Sequence, residues 1–265
     1  MIKVCSYNVN SIKSRLLLLT DWLHKRNSDI DVLCLQELKV TDDNFPYEEF
    51  QQLGYSCEVY GQKTYNGVAI CSKLPLSNAW KGFGTIAEHI NEQRRIISVS
   101  VADKFTLLNV YAPHGDERGN PKYDYKLTWY EHFISYLKDY LEANDKLVIL
   151  GDFNITRDDL DVYDERALRD TIGTMPEERA LIERVLQLGL IDTYRALYPQ
   201  RRQFTWWSYM GGAVWKDQGM RIDYILVSKS LVSSITEVEV DMWSRKKKTP
   251  KPSDHAPIIA SLIID

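Results

Sequence analysis

Short apolar, β-branched runs recur along the chain at residues 2–7, 32–35, 67–71, 96–101, 106–110, 147–150, 222–227 and 258–264. Runs of this length and composition, bounded by polar residues, predict strands. Most lack strict alternation, which is the pattern of strands covered on both faces. Apolar residues recur with helical spacing at 15–26, 125–142 and 176–188, and these segments predict helices between some of the strands. No linker, low-complexity tract or fixed-period repeat separates them, so one α/β domain over residues 1–265 is expected.

The chain is long enough to bury a sizeable core: 265 residues, 44% hydrophobic and 26% charged. No run of about eighteen apolar residues occurs, so no membrane span is expected. The opening M-I-K-V-C-S-Y-N-V-N alternates like a strand and lacks the apolar core of a signal peptide, which makes the cytoplasm the expected location. Cys5, Cys34, Cys57 and Cys71 form no C-x-x-C pair, and they read as buried apolar residues rather than zinc ligands or disulfides. A formal charge of −4 argues against binding nucleic acid through overall charge, although a local basic groove or a bound cation would overcome it.

Polar groups cluster where the predicted strands stop. V-C-S-Y ends at Asn8 and Asn10, V-L-C-L at Gln36 and Glu37, L-L-N-V at Tyr111 and His114, and L-V-I-L-G at Asp152 and Asn154. Two strands carry theirs at the start instead: Asp223 in R-I-D-Y-I-L-V, and Asp254 and His255 in P-S-D-H-A-P. If the second set runs antiparallel to the first, every one of these groups meets at one sheet edge.

Glu37, Asp152, Asp223 and Asp254 are too many carboxylates to share a site uncompensated. A hard divalent cation resolves the conflict, and oxygen ligands favour Mg²⁺ or Mn²⁺ over zinc. Histidine and asparagine beside such a cation suit hydrolysis of a phosphate ester, where charge must be neutralised and a water aligned. Taken singly, each residue has a plainer reading. Asp-x-Asn after a strand is commonly a turn, Asn8 a helix cap, and Tyr111 or the Trp206-Trp207 pair core packing. It is their coincidence at matching strand ends that points to chemistry.

The motifs S-Y-N-V-N, C-L-Q-E-L-K, G-Q-K-T-Y-N-G-V-A-I, Q-R-R-I-I, G-D-F-N-I, G-L-I-D-T-Y-R, F-T-W-W-S-Y, G-M-R-I-D-Y-I-L-V and K-P-S-D-H-A-P follow one another over almost the whole chain. In this order they resemble the exonuclease III family of abasic-site endonucleases, within the endonuclease/exonuclease/phosphatase superfamily. The resemblance implies a four-layered α/β sandwich, two mixed β-sheets flanked by helices as in deoxyribonuclease I. It further implies Mg²⁺-dependent hydrolysis 5′ to an abasic site, leaving a 3′-hydroxyl, with trimming of 3′ ends of duplex DNA at the same centre. A monomer needs no further assumption.

By the same resemblance, Glu37 is the principal metal ligand, with Asn10 and Asp254 as further candidates. Asp152 orients or deprotonates the attacking water, Asn8 holds Asp152, Asn154 binds on the phosphate side, and Tyr111 touches the phosphate. His255, oriented by Asp223, faces the phosphate, and whether it or Asp152 takes the proton is open. Phe204, Trp206 and the Gly173 loop are expected to wall a pocket for a flipped sugar, since extrusion is easiest where no base is stacked. Gly173 would leave that pocket open, whereas a bulky residue there would favour end trimming. Arg94, Arg95 and Lys126 are expected on the DNA backbone.

Two departures stand out. His114 occupies a position where the family commonly has glutamine, and the 210–219 loop lacks the usual basic side chains, which leaves Trp215 as a candidate apolar wedge. Two other readings were weighed: a non-catalytic nucleic-acid binder of the same fold, disfavoured because Glu37, Asp152, Asn154, Asp223, Asp254 and His255 are all present, and a phosphatase of inositol phosphates, disfavoured by the Q-R-R and F-T-W-W motifs. A specialised 3′-to-5′ exonuclease is the nearer alternative.

Overall fold

The computed structural model describes residues 1–84 and 88–264. The chain runs from β1 (Ile2–Asn8) through α1 (Ile12–Lys25) and β2 (Val32–Gln36) to α2 (Tyr47–Gln52), β3 (Ser56–Tyr60) and β4 (Val68–Ser72). Next come β5 (Leu76–Lys81), α3 (Glu88–Asn91), β6 (Ile96–Val101), β7 (Phe105–Tyr111), α4 (Pro121–Ala143) and β8 (Leu147–Asp152). The remainder is α5 (Pro176–Gln187), β9 (Leu190–Asp192), α6 (Thr193–Leu197), β10 (Trp206–Trp207), β11 (Gly219–Met220), β12 (Asp223–Ser228), β13 (Ile235–Val240) and β14 (Ile258–Leu262).

Each of the apolar runs lies on a strand, and the three helical segments are α1, α4 and α5. Helix α4 starts a turn earlier than its apolar spacing predicts. Its first turn is polar, and the start is set by the Asn120 side chain capping the Lys122 N–H and by Pro121 at the first helical position.

Two six-stranded sheets form, ordered β13-β14-β1-β2-β4-β3 and β5-β6-β7-β8-β12-β9. Both are mixed, because β1 with β2 and β7 with β8 are parallel while the neighbouring pairs run antiparallel. Val4, Val32, Cys34, Val68 and Ile70 of the first sheet pack against Ile97, Val99, Leu107, Val148, Leu150 and Ile225 of the second. The outer face of the first sheet, including Cys5, Tyr7, Leu33 and Leu35, is covered by Leu19, Trp22 and Leu23 of α1 and Phe50 of α2. On the other side α4 and α5 cover Leu108, Ile149 and Leu226 with Trp129, Tyr130, Phe133 and Ile182. These are the four expected layers, and burial of both faces explains the unbroken apolar runs.

One expectation fails. Cys57 and Cys71 stand directly opposite each other on β3 and β4, with Cα atoms 4.0 Å apart, and form a disulfide. Sequence spacing gave no hint of it because the pairing depends on strand register. Cys5 and Cys34 are buried free thiols, as expected, and burial pushes their pKa values up.

Candidate active site

The strand-end groups meet at one edge of the sandwich. β1 delivers Asn8, β2 leads into Glu37, β7 ends at Tyr111, and β8 ends at Asp152 with Asn154 two residues on. β12 runs antiparallel to β8, so Asp223 at its start lies directly opposite Asp152. His255 reaches the same place ahead of β14, through a bridge to Trp206. The approach of β7 to β8 depends on Gly151, whose φ is 146° and where a Cβ would collide with the Val110 carbonyl oxygen. Asn10, Glu37 and Asn154 all have left-handed backbones, a concentration of strain common at functional sites.

Asn8 is the hub. Its Nδ2 donates to Glu37 Oε1 at 2.8 Å and to Asp152 Oδ2 at 2.8 Å, while its Oδ1 accepts from the Asn10 N–H. The other Asp152 oxygen accepts from the Asn154 N–H at 2.9 Å, and Asn154 Nδ2 donates to the Ala112 carbonyl. His255 Nδ1 lies 2.9 Å from Asp223 Oδ2, which leaves Nε2 3.6 Å from Asp152 Oδ2. Asp223 is itself aimed by Thr205, whose hydroxyl accepts from the Ile222 and Asp223 N–H groups. Within P-S-D-H-A-P, Ser253 Oγ donates to the Asn8 carbonyl and accepts from the His255 N–H. That short segment therefore ties β14 to the end of β1 while presenting the imidazole.

Burial sets the electrostatics. Burial, reinforced by the Asp223 and Glu37 charges, pushes Asp152 up to about 7 against the opposing pull of His255 and the Asn8 hydrogen bond. Burial alone would lower His255, but the carboxylates of Asp223 and Asp152 outweigh it and push the imidazole up to about 10. Tyr111 is raised by burial and then by Glu37. The facing carboxylates thus favour a protonated imidazole, and among the described residues Asp223 Oδ1 is buried without a hydrogen-bond partner.

Glu37, Asp152 and His255 offer ligand atoms within 4.8 Å of one another. Crowded carboxylates with an orphaned buried oxygen beside them fit a hard divalent cation. The expected metal residues Asn10 and Asp254 lie on the same rim but are engaged with each other, Asn10 Nδ2 donating to Asp254 Oδ1 at 3.0 Å. The second Asp254 oxygen accepts from Trp206 Nε1 at 3.1 Å. Lys39, which the sequence reading passed over, ion-pairs with Glu37 at 2.9 Å and donates to Asn10 Oδ1 at 2.6 Å. Its place in C-L-Q-E-L-K, two residues after Glu37, was the available signal.

The pocket is lined by Glu37, Tyr111, Asp152, Asn154, Asp254 and His255 on its polar side, and by Ile172, Gly173, Trp206, Met220 and Ile222 on its apolar side. Trp206, Gly173 and His114 all belong to this lining. Met220 and Ile222 were missed, although G-M-R-I-D alternates so as to put both on one face.

Two expected DNA contacts are corrected. Phe204 does not reach the pocket: it is buried behind it against Trp207, Val214 and Ala256. Lys126 is not available to a phosphate, because it is wholly buried and paired with Glu178 at 2.5 Å. Of the two arginines in Q-R-R, Arg95 lies over the Tyr111 ring and lines a groove continuous with the pocket, beside His114, Tyr65 and Lys122. Arg94 stacks on Tyr60 and donates to the Gly61 carbonyl. Trp215 projects from its loop with 59% of its surface exposed.

A carboxylate-rich pocket with a candidate cation site, at the edge of a two-sheet sandwich, is the arrangement of a metal-dependent phosphoesterase. Residues 5–255 match the Endonuclease/Exonuclease/phosphatase family. The chain is 35% identical to exodeoxyribonuclease III of Haemophilus influenzae, over 98% of its own length and 99% of that protein. Among solved structures, the 3′ phosphatase NExo from Neisseria, bound to a product DNA hairpin, matches with a TM-score of 0.94 and 35% identity, covering 99% of this chain and 100% of that one. An AP endonuclease from Archaeoglobus fulgidus matches with a TM-score of 0.92 and 32% identity, covering 99% of each chain. The chain belongs to the endonuclease/exonuclease/phosphatase family and, within it, to the exonuclease III and AP endonuclease group of metal-dependent DNA-repair nucleases.

Proposed function

We propose that this nuclease hydrolyses the phosphodiester 5′ to an abasic site in duplex DNA, leaving a 3′-hydroxyl, and trims 3′ ends at the same centre. The observation that carries this reading is the juxtaposition, in one pocket, of the Asp152, Asn8 and His255 cluster with an apolar wall that Gly173 leaves open. A sugar without its base has an apolar face to place on Trp206, Ile172 and Met220, while its 5′ phosphate faces the polar side.

Asp152 takes the proton from the attacking water. Its carboxylate is fixed by the side chain of Asn8 and the backbone of Asn154, and its raised pKa suits a base working near neutrality. His255, held as an imidazolium by Asp223, has no lone pair to offer and instead presents Nε2–H to a phosphate oxygen. Asn154 and Tyr111 bind on the same side. Glu37 would hold Mg²⁺, with Asn10 and Asp254 beside it and Mn²⁺ as a substitute. A divalent cation supplies neutralisation of the phosphate and stabilisation of the departing 3′-oxygen.

The test is a labelled duplex with one central abasic-site analogue, incubated beside an undamaged duplex with a recessed 3′ end. Each is given Mg²⁺, EDTA or the Asp152→Asn variant. Metal-dependent incision 5′ to the lesion, lost in the variant, is the expected result. Trimming of the recessed end with the lesion left intact would make the protein a specialised 3′-to-5′ exonuclease.

A further inference from the structure

Lys126 and Glu178 are opposite charges wholly buried beside the pocket, and the mechanism above gives neither a task. Lys126 comes from α4 and Glu178 from the first turn of α5, and neither side chain has any exposed surface. Such a pair is costly to desolvate, so its retention calls for a further reason.

The reason lies in what the two heads bind. Beyond its 2.5 Å contact with Glu178, Lys126 Nζ donates to the carbonyls of Asn154 at 2.8 Å and His114 at 3.1 Å. Glu178 Oε2 accepts from the backbone N–H groups of Gly173 at 2.7 Å and Met175 at 3.1 Å. The Gly173 carbonyl is held in turn by the N–H and hydroxyl of Thr156, at 2.7 and 2.9 Å. One ion pair therefore joins the segment that carries Asn154, the turn that carries His114, and the loop that carries Gly173. All three residues line the pocket.

From this geometry, and resting on the reading of the pocket as a sugar site, we infer that Lys126 and Glu178 are positioning residues that fix the distance between the pocket's phosphate side and its sugar side. They act through backbone groups and touch no substrate. A sugar swung out of the duplex must fill the space between Asn154 and Gly173. A recessed 3′ end needs the phosphate side and makes a smaller demand on the Gly173 loop. The pair is accordingly a determinant of selectivity between the two reactions.

The variant for the test is Lys126→Met combined with Glu178→Leu, which removes both charges so that neither is left buried alone; it frees the Gly173 and Met175 N–H groups and the His114 and Asn154 carbonyls, while Asn154 stays tied to Asp152 and Ala112. Expected is a loss of about tenfold or more in kcat/KM for abasic incision, with trimming of a recessed 3′ end within about threefold of wild type. A proportional fall in both activities, or no fall in either, would overturn the inference. Should the double variant fail to fold, amide hydrogen exchange on the wild-type protein decides: Gly173 and Met175 must exchange as slowly as core amides, and rapid exchange there refutes the brace. Wild-type protein incubated with the abasic duplex runs in parallel. Absence of incision by the wild type would overturn the sugar-site reading and the inference with it, whereas incision by wild type with an unchanged activity ratio in the variant overturns the inference alone.

Discussion

Asp152 and Asp223 face each other across the ladder between β8 and β12, and His255 reconciles them, its two nitrogens 3.6 Å from the one and 2.9 Å from the other. Adjacent buried carboxylates in cross-strand register would repel, and an imidazole held between them offsets that repulsion. The proposed catalytic base and the group that orients the histidine are thus neighbours in one hydrogen-bonded ladder, and neither can shift without the other.

Replacement of Asp223 by Asn should leave the backbone intact while removing the charge that holds His255 up at about 10. With only Asp152 and Asp254 left to oppose burial, the imidazole is lowered, so the ring loses its proton at a lower pH than in the wild type. Incision at pH 7.5 should fall by roughly 10²–10⁴-fold. Titration of His255 by NMR in the two proteins checks the cause, and an unmoved imidazole would refute it.

Gly173 has a φ of +83°, and a Cβ there would sit 3.4 Å from the Asn154 carbonyl oxygen, at the pocket edge. Gly173→Asn is the substitution best able to keep this backbone. Abasic incision should fall by about tenfold while end trimming holds, because the side chain occupies the space the sugar needs. Parallel rate measurements on the two duplexes decide it, and equal losses would mean that the pocket edge plays no part in selection.

Trp215 is exposed on a loop whose one basic residue is Lys216, and its indole is the candidate wedge into the duplex. Trp215→Ala should weaken binding to an abasic duplex by about tenfold, the equivalent of roughly 1.4 kcal/mol. Thermal stability should stay as it is. Fluorescence anisotropy with a labelled duplex measures the first and a melting curve the second; unchanged affinity and unchanged incision would remove Trp215 from the interface.

Arg221 lies between the pocket residues Met220 and Ile222 but points the other way. Its guanidinium is wholly buried, bound bidentately by Asp161 and at 2.7 Å by Asp192, and it lies 4.6 Å from the centre of the Tyr224 ring. Arg221→Met takes the shared guanidinium from two buried carboxylates, leaving Asp161 with Arg195 and Asp192 with the N–H groups of Tyr194 and Arg195, and should cost about 3–5 kcal/mol. Urea denaturation will show this, and a loss below about 1 kcal/mol would contradict the assignment.

The central strands were legible in the sequence and the edge strands were not, for one physical reason. β1, β2, β4, β6, β7, β8, β12 and β14 are covered on both sides and read as unbroken apolar runs. β3, β5, β9 and β13, the four sheet edges, were missed because edges carry polar and charged side chains, as L-S-N-A-W-K and I-T-E-V-E-V show. The polar cluster at the strand ends was legible because each member follows or precedes an apolar run. What could not be read was anything set by the packing of one element on another. Lys126 looks like any surface lysine until α5 brings Glu178 against it, Phe204 differs from Trp206 only in which way the chain faces, and the Cys57–Cys71 bond exists only through the β3–β4 register.

The catalytic groups are drawn from residue 8 to residue 255, and the first and last strands of the sandwich, β1 and β14, pair with each other. A growing chain therefore makes Asn8, Glu37 and Asp152 before it has His255 to complete them. On the mechanism proposed above, cutting awaits the segment that carries His255 into β14, so a chain that stops short of it would leave DNA uncut.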